Sequence, residues 1–305
     1  MDVVPAYDSL EEAVSALCGG GAAAWSESRV YGGGISAARK LTAAGGRTLF
    51  MKFNRPDRLS FFEAEARGLF ALARSGAIPV PAPLALGTDR KRGLSFLLMD
   101  FVEEGRRKKD YWEDFGRSLA ALHLSDVSFL YPEGEKGPLF GFPEDNYIGS
   151  TPQKGGWDRD WRVFFRDFRL EPQIRMASPC MSRSVRKRFL VLLDRLEDWI
   201  PGDVRPSLLH GDLWYGNAIV TPEGGPMILD PAAYVGPAEA DLAMTSLFGG
   251  FPGTFYAAYR EVLPPAPGSG DRRDLYNLYH LLNHLNLFGE GYYDEVLGVL
   301  GRFVR

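Results

Sequence analysis

Cysteine is nearly absent: Cys18 and Cys180 are the only two in 305 residues. Two cannot build a disulfide framework, and no CxxC spacing offers a zinc clip, so a reducing, cytoplasmic setting is expected. Long apolar runs are missing as well, and none approaches the roughly 18 residues that a membrane span needs. The chain opens Met-Asp-Val-Val-Pro and turns acidic at Glu11 and Glu12, without the basic-then-apolar order of a secretory leader. A formal net charge of −4 removes the electrostatic motive for nucleic acid or an anionic membrane as a main partner. Internal repeats and low-complexity tracts are lacking too, which excludes a solenoid or a disordered linker protein. Nothing specifies an assembly, and a monomer is the expectation.

What remains is an ordinary globular composition, 45% hydrophobic and 24% charged, with enough chain for one large or two medium domains. Residues 9–17 spell a short helix with a Ser9/Glu12 capping box, stopped by glycines from Gly19. From about 22 to 54 the pattern is strand-like in three runs, with Ala44-Gly45-Gly46 as a hairpin turn. Ser60–Arg74 returns to helical spacing, with Phe62, Ala66, Leu69, Phe70 and Ala73 on one stripe and Gly76 as its stop. The apolar run LSFLLMDF reads as a buried strand. Beyond Glu104 the texture becomes helical, with aromatic helices near 160–177 and 182–200. The expectation is a strand-rich lobe over residues 1–102 and a mainly helical lobe over 103–305.

The stretch SLLHGDLWYGNAIVTPEGGPMILDPA carries the chemistry. A short strand ends at His210, Asp212 follows in a glycine-containing loop, Asn217 comes five residues later, and a third strand delivers Asp230. Phosphoryl transfer asks little covalent work of a protein, but it needs a carboxylate for the attacking hydroxyl and oxygen ligands for magnesium. Base, metal-binding Asn five residues on, then a later metal-binding Asp is the order of that machinery. Asp212 is read as the base, and Asn217 and Asp230 as metal ligands. Any one alone is a common turn residue; three at matched spacing are a signal. His210 is open to two roles, an alternative base or a buttress of the loop. Asp241, eleven residues after Asp230, either accepts N–H bonds from the loop or is a helix N-terminal charge.

The nucleotide side is sparser. Lys52 lies between Met51 and Phe53 on a strand, where an ammonium reaches the α/β-phosphates of ATP if a helix carboxylate orients it. Glu63 reads as a capping partner of Ser60, which leaves Glu65 for Lys52. Gly32, Gly33 and Gly34 lie about twenty residues earlier in VYGGGIS and offer backbone N–H groups to phosphates, or simply a hairpin tip. Met99, Asp100 and Phe101 begin the join between the lobes, where a backbone hinge pairs with adenine.

HGDLWYGN, LDPAAYVGPAEADLAMTSLFGGF, LYNLYHLLNHLNLFGEGY, FFEAEARGL, FGFPEDNYIGSTPQ and WDRDWRVFFRDFRLEPQ closely resemble the fructosamine kinase (ketosamine 3-kinase) family across most of the chain. That family is related to aminoglycoside and choline phosphotransferases. The resemblance implies an α+β, bilobal protein-kinase-like fold with a small antiparallel-sheet lobe before a larger helical one. It also implies ATP with Mg2+, and phosphorylation of O3 of a protein-bound or small-molecule ketosamine, which labilises the adduct and so deglycates. By the same comparison Trp214 would lie near the sugar, or pack the catalytic loop. Three positions depart from the family pattern: Gly34, where some members have cysteine; Tyr215, where a small residue is usual; and Gly155, where asparagine is usual.

Two other readings stand beside this one. Another small-molecule kinase would keep the same catalytic residues and differ in its acceptor pocket. A nucleotide-binding pseudokinase would lack a base, metal ligand or phosphate lysine. The basic runs GRRKKD and SRSVRKRF read as solvated faces.

Overall fold

The protein is described as a computed structural model covering residues 4–19, 24–30 and 36–304. The chain divides into two compact units, Met1–Tyr111 with Ile219–Asp230, and Trp112–Ala218 with Pro231–Arg305. The glycines Gly32, Gly33 and Gly34 fall outside the described residues.

The first unit is built on a six-stranded sheet. Its strands are β1 (Ala6–Tyr7), β2 (Trp25–Arg29), β3 (Ala37–Ala43), β4 (Thr48–Asn54), β5 (Pro83–Asp89) and β6 (Leu94–Asp100), with helix α1 (Leu10–Cys18) after β1 and α2 (Leu59–Arg74) after β4. The spatial order is β1-β5-β6-β4-β3-β2. Only β1 pairs in parallel; β2 to β6 are antiparallel.

Strand side chains alternate between faces, and here each face has its own helix. Leu10, Ala13 and Val14 of α1 pack with Met51, Phe96 and Leu98. Phe62, Ala66 and Leu69 of α2 pack with Leu97 and Met99. Both faces of β6 are therefore covered, which explains its unbroken apolar run. Burying a side chain such as Phe62 is worth about 1.5–3 kcal/mol.

Helix α1 starts as its sequence predicts: the Ser9 side chain accepts from Glu12 N, and Gly19 closes it at φ 88°. Helix α2 does not. A 3-10 turn over Pro56–Arg58 leads straight into it, Arg58 occupies the N-cap position without a side-chain bond, and Ser60 lies inside the first turn. The expected Ser60–Glu63 capping box is thus displaced by the proline turn. Ala73 is exposed, and Leu72 is buried in the stripe instead.

Residues 219–230 join the first unit although they come late in the chain. The strands Ala218–Val220 and Pro226–Ile228 form a hairpin. Backbone bonds from Gly105 N to Val220 O (3.1 Å), Lys108 N to Gly224 O (3.2 Å) and Ile228 N to Pro79 O (3.1 Å) bind it there.

The second unit is mainly helical: α3 (Tyr111–Leu124), α4 (Trp161–Phe164), α5 (Glu171–Ala177), α6 (Arg183–Asp194), α7 (Ala238–Met244), α8 (Gly253–Val262), α9 (Ser269–Phe288) and α10 (Tyr293–Phe303). A six-residue π-helical stretch, Phe165–Leu170, links α4 to α5. A small sheet orders strands Gly156–Asp158, Phe140–Phe142, Tyr234–Gly236 and Ser207–Leu209. Trp161 anchors this region, with ring centroids 5.7 Å from Phe140, 5.2 Å from Phe165 and 6.2 Å from Tyr276. No helix among the described residues is long and apolar enough to cross a membrane.

Candidate active site

In the first unit, Met51 faces α1, so alternation turns Lys52 to the opposite side of β4, toward α2. Its ammonium is buried, 2.7 Å from Glu65 Oε1, and also bonds Asp230 Oδ1. Burial alone would pull the Lys52 pKa down, but the Asp230 carboxylate, and after it Glu65, outweigh that and hold it above the ordinary lysine value. The lysine is a charged clamp between two elements. Glu65 is its helix partner, as expected, although the capping argument that set Glu63 aside does not hold. Asp230 has φ 60°, the only positive φ at a non-glycine among the described residues. Its carboxylate is therefore delivered from a left-handed corner after the hairpin, a conformation aspartate tolerates better than most side chains.

Met99, Asp100 and Phe101 lie at the end of β6 and just beyond it. Met99 is buried on the α2 side of the sheet. Asp100 is exposed and 3.4 Å from Arg47 Nη2. The Phe101 ring lies 6.4 Å from Phe50 and 4.1 Å from the Lys40 ammonium, a cation–π contact.

In the second unit, the loop after strand Ser207–Leu209 is fixed from below. Asp241, buried in the first turn of α7, accepts from His210 N at 2.7 Å and Gly211 N at 2.8 Å. His123 Nε2 is 3.2 Å from the same carboxylate, and its Nδ1 is 2.7 Å from Tyr259 Oη. A carboxylate only accepts, so Nε2 carries a proton toward Asp241. Burial opposes the Asp241 charge, but the His123 bond, His210 and the Gly211 N–H outweigh it and hold the carboxyl below the ordinary range. Of the two roles open for Asp241, the loop-holding one carries its hydrogen bonds.

Gly211 is obligatory here. Its φ is 82°, and an added Cβ would lie 2.1 Å from the Ala232 carbonyl oxygen. His210 is fully buried, and its Nδ1 accepts from Asp212 N at 3.2 Å. That bond ties the His210 ring to the loop backbone. Asp212 is half-buried, and Asn217 Nδ2 donates to its carbonyl at 2.8 Å, with the Asp212 carboxylate 3.4 Å away. With Nδ2 committed, Asn217 keeps Oδ1 as its acceptor side. No group of three or more His, Cys, Asp or Glu suited to a metal occurs among the described residues. That accords with magnesium, which is commonly held by one or two protein oxygens plus phosphates and waters. Asn217 Oδ1 in the second unit and the Asp230 carboxylate in the first are each of the oxygen type that such an ion takes.

Against this geometry the comparisons are specific. The fructosamine kinase family model matches residues 7–305. The chain belongs to the fructosamine kinase family. A probable ketoamine kinase of Synechocystis sp. is 41% identical over 86% of this chain and 84% of its own. A chloroplastic protein-ribulosamine 3-kinase of Oryza sativa subsp. indica is 40% identical over 91% and 78%. A solved structure from Haemophilus somnus 129PT, assigned to fructosamine-3-kinase, superposes with TM-score 0.84 at 25% identity over 97% of each chain. The fold is the α+β protein-kinase-like one.

The two described positions read as departures, Gly155 and Tyr215, fit their surroundings. A Cβ at Gly155 would lie 2.3 Å from the Glu144 carbonyl oxygen, so no side chain fits. Tyr215 is accommodated among rings, 5.9 Å from Trp112 and 6.5 Å from Phe251. Trp214 packs its indole over Gly216, where a Cβ would come within 2.4 Å, yet stays 38% exposed. Sequence reasoning missed His123 and Tyr259, which hold Asp241. It also missed Asn146, Gln153 and Tyr279: Asn146 Nδ2 donates to Ala233 O (2.8 Å), Gln153 Nε2 to Ala232 O (3.1 Å), and Tyr279 Oη to Gln153 Oε1 (2.7 Å). The only local signal was polar residues amid apolar ones.

Proposed function

We propose that this chain transfers the terminal phosphoryl group of ATP to O3 of a ketosamine, a fructosamine or ribulosamine, borne by a protein lysine or a small amine. The observation that carries this reading is the Lys52 ammonium shared by Glu65 and Asp230. It joins a lysine suited to the α/β-phosphates to a carboxylate suited to a divalent ion. Relatives named as ketoamine and ribulosamine kinases support the acceptor class.

Asp212 is assigned as the base. It takes the O3 proton as that oxygen bonds to phosphorus and the bond to the departing ADP oxygen breaks. Asn217 and Asp230 are assigned to Mg2+, which when bound supplies charge neutralisation at the phosphate oxygens. Lys52, oriented by Glu65, is assigned to the α/β-phosphates, and so are the backbone N–H groups of Gly32, Gly33 and Gly34. Met99, Asp100 and Phe101 are assigned to adenine, and Trp214 to the sugar. The O3 phosphate labilises the adduct and so deglycates the amine. We place this activity in a monomer in a reducing cytoplasm, in keeping with two free thiols.

The test is an acceptor panel of fructosamine, ribulosamine and aminoglycoside, with the phosphorylated position located by NMR. Transfer to O3 of the ketosamines is expected, with Asp212→Asn slower by about 10²–10⁴-fold. Transfer to the aminoglycoside alone rejects the acceptor, and an undiminished Asp212→Asn rejects the base.

A further inference from the structure

A chain of rings leads away from the catalytic loop within the second unit. Trp214, two residues beyond Asp212, meets Phe248 edge-on at 6.3 Å. The Phe248 ring lies 4.6 Å from the His284 imidazole, which in turn lies 5.3 Å from Phe288 and 5.2 Å from Tyr292. This is not a closed core: Trp214 is 38% and Phe288 62% exposed, and His284 is half-buried. Trp214 ties the patch to the catalytic loop, and helix α9 supplies His284 and Phe288.

The imidazole has a defined tautomer. His284 Nδ1 is 2.8 Å from the His280 carbonyl oxygen; a carbonyl only accepts, so Nδ1 carries the hydrogen and Nε2 keeps its lone pair. Burial pulls the His284 pKa below the ordinary value, against the His280 bond and the Glu295 charge, so the ring is neutral at pH 7. A neutral acceptor set among π faces recognises a cation that carries an N–H and an alkyl chain.

A ketosamine presents that group. Its C1 nitrogen is a secondary ammonium at neutral pH, and the lysine or amine chain continues beyond it. Resting on the ketosamine reading above, we propose that Phe248 and His284, set beside Trp214 of the sugar site, form the subsite for this amine-bearing arm, with His284 Nε2 accepting the ammonium N–H. Phe288 and Tyr292 continue the aromatic surface on which the attached chain lies. The base and the phosphate groups act on the hydroxyl; this patch selects what the sugar is attached to.

The test compares 1-deoxy-1-propylaminofructose as acceptor with 1-deoxyfructose, which has the same hydroxyls and no amine, as competing ligand. His284→Phe keeps the ring and removes the acceptor. It is expected to raise KM for the amine about tenfold, to leave kcat within about twofold, and to leave the Ki of 1-deoxyfructose unchanged. His284→Gln restores an acceptor oxygen and recovers most of the loss. Phe248→Leu gives the same split at smaller amplitude and serves if the phenylalanine variant does not fold. Equal weakening of both sugars, or an unchanged KM for the amine, overturns the subsite. Wild-type protein that never phosphorylates the propylamino sugar rejects the ketosamine reading itself, and the subsite falls with it.

Discussion

Asp241→Asn removes one charge from a site where every partner of the carboxylate is a donor. In the native protein its two oxygens face His210 N, Gly211 N and His123 Nε2. An asparagine offers one oxygen and one NH2, so whichever way it turns, donors face donors. Hydrogen bonds to a charged group are worth about 1.5–3 kcal/mol, and a buried donor left unpaired costs about 1–3 kcal/mol. Breaking such a buried charged site by altering one partner costs about 3–5 kcal/mol. At about 2–4 °C per kcal/mol, that lowers Tm by roughly 6–20 °C. The sign with pH follows from the lowered folded pKa of Asp241. Its contribution is fully present above the unfolded aspartate value near 3.8 and is lost as pH falls through the lower folded value. The gap between wild type and variant should therefore be full at pH 7 and close at strongly acidic pH. Thermal melts at a series of pH values read this directly. A variant melting within about 2 °C of wild type at pH 7 would refute the donor count, since even one lost bond exceeds that.

Lys52→Met keeps the length of the side chain but removes the clamp between Glu65 and Asp230. Single-turnover transfer should fall by at least about 100-fold, and a near-normal rate would remove Lys52 from the phosphate site. Gly211→Ala drives a methyl to 2.1 Å from Ala232 O at φ 82°. It should cost at least about 1–3 kcal/mol, seen as a lowered melting temperature together with lost turnover. Gly155→Asn should destabilise this chain, because its Cβ would meet Glu144 O at 2.3 Å; an unchanged melt would show that the 144–155 turn yields.

Much of this architecture was legible because local period carries it. The unbroken apolar run of β6 and the stripe of α2 are written in seven and sixteen consecutive residues, and the Ser9 cap within four. The Lys52–Glu65 pair was anticipated, though by a capping argument that the structure does not bear out, and the order Asp212, Asn217, Asp230 was legible from residue type and spacing alone. The α2 start was misread because a capping-box pattern is weaker than a proline-led turn that enters the helix first. What spacing cannot supply is pairing across the chain. His123 meets Asp241 over 118 residues and Tyr259 over 136, and neither partner differs locally from any helical polar residue. The hairpin at 219–230 is held by Gly105, Lys108 and Pro79, contacts that no hydropathy window spans.

The left-handed turn at Asp230 narrows what can stand there. Glycine, asparagine and aspartate adopt that backbone cheaply, whereas branched or bulky residues pay for it. Of those three, one alone brings a negative charge to the Lys52 ammonium. Shape admits a short roster and charge strikes all but one name from it, so this corner should resist drift even where its neighbours vary freely.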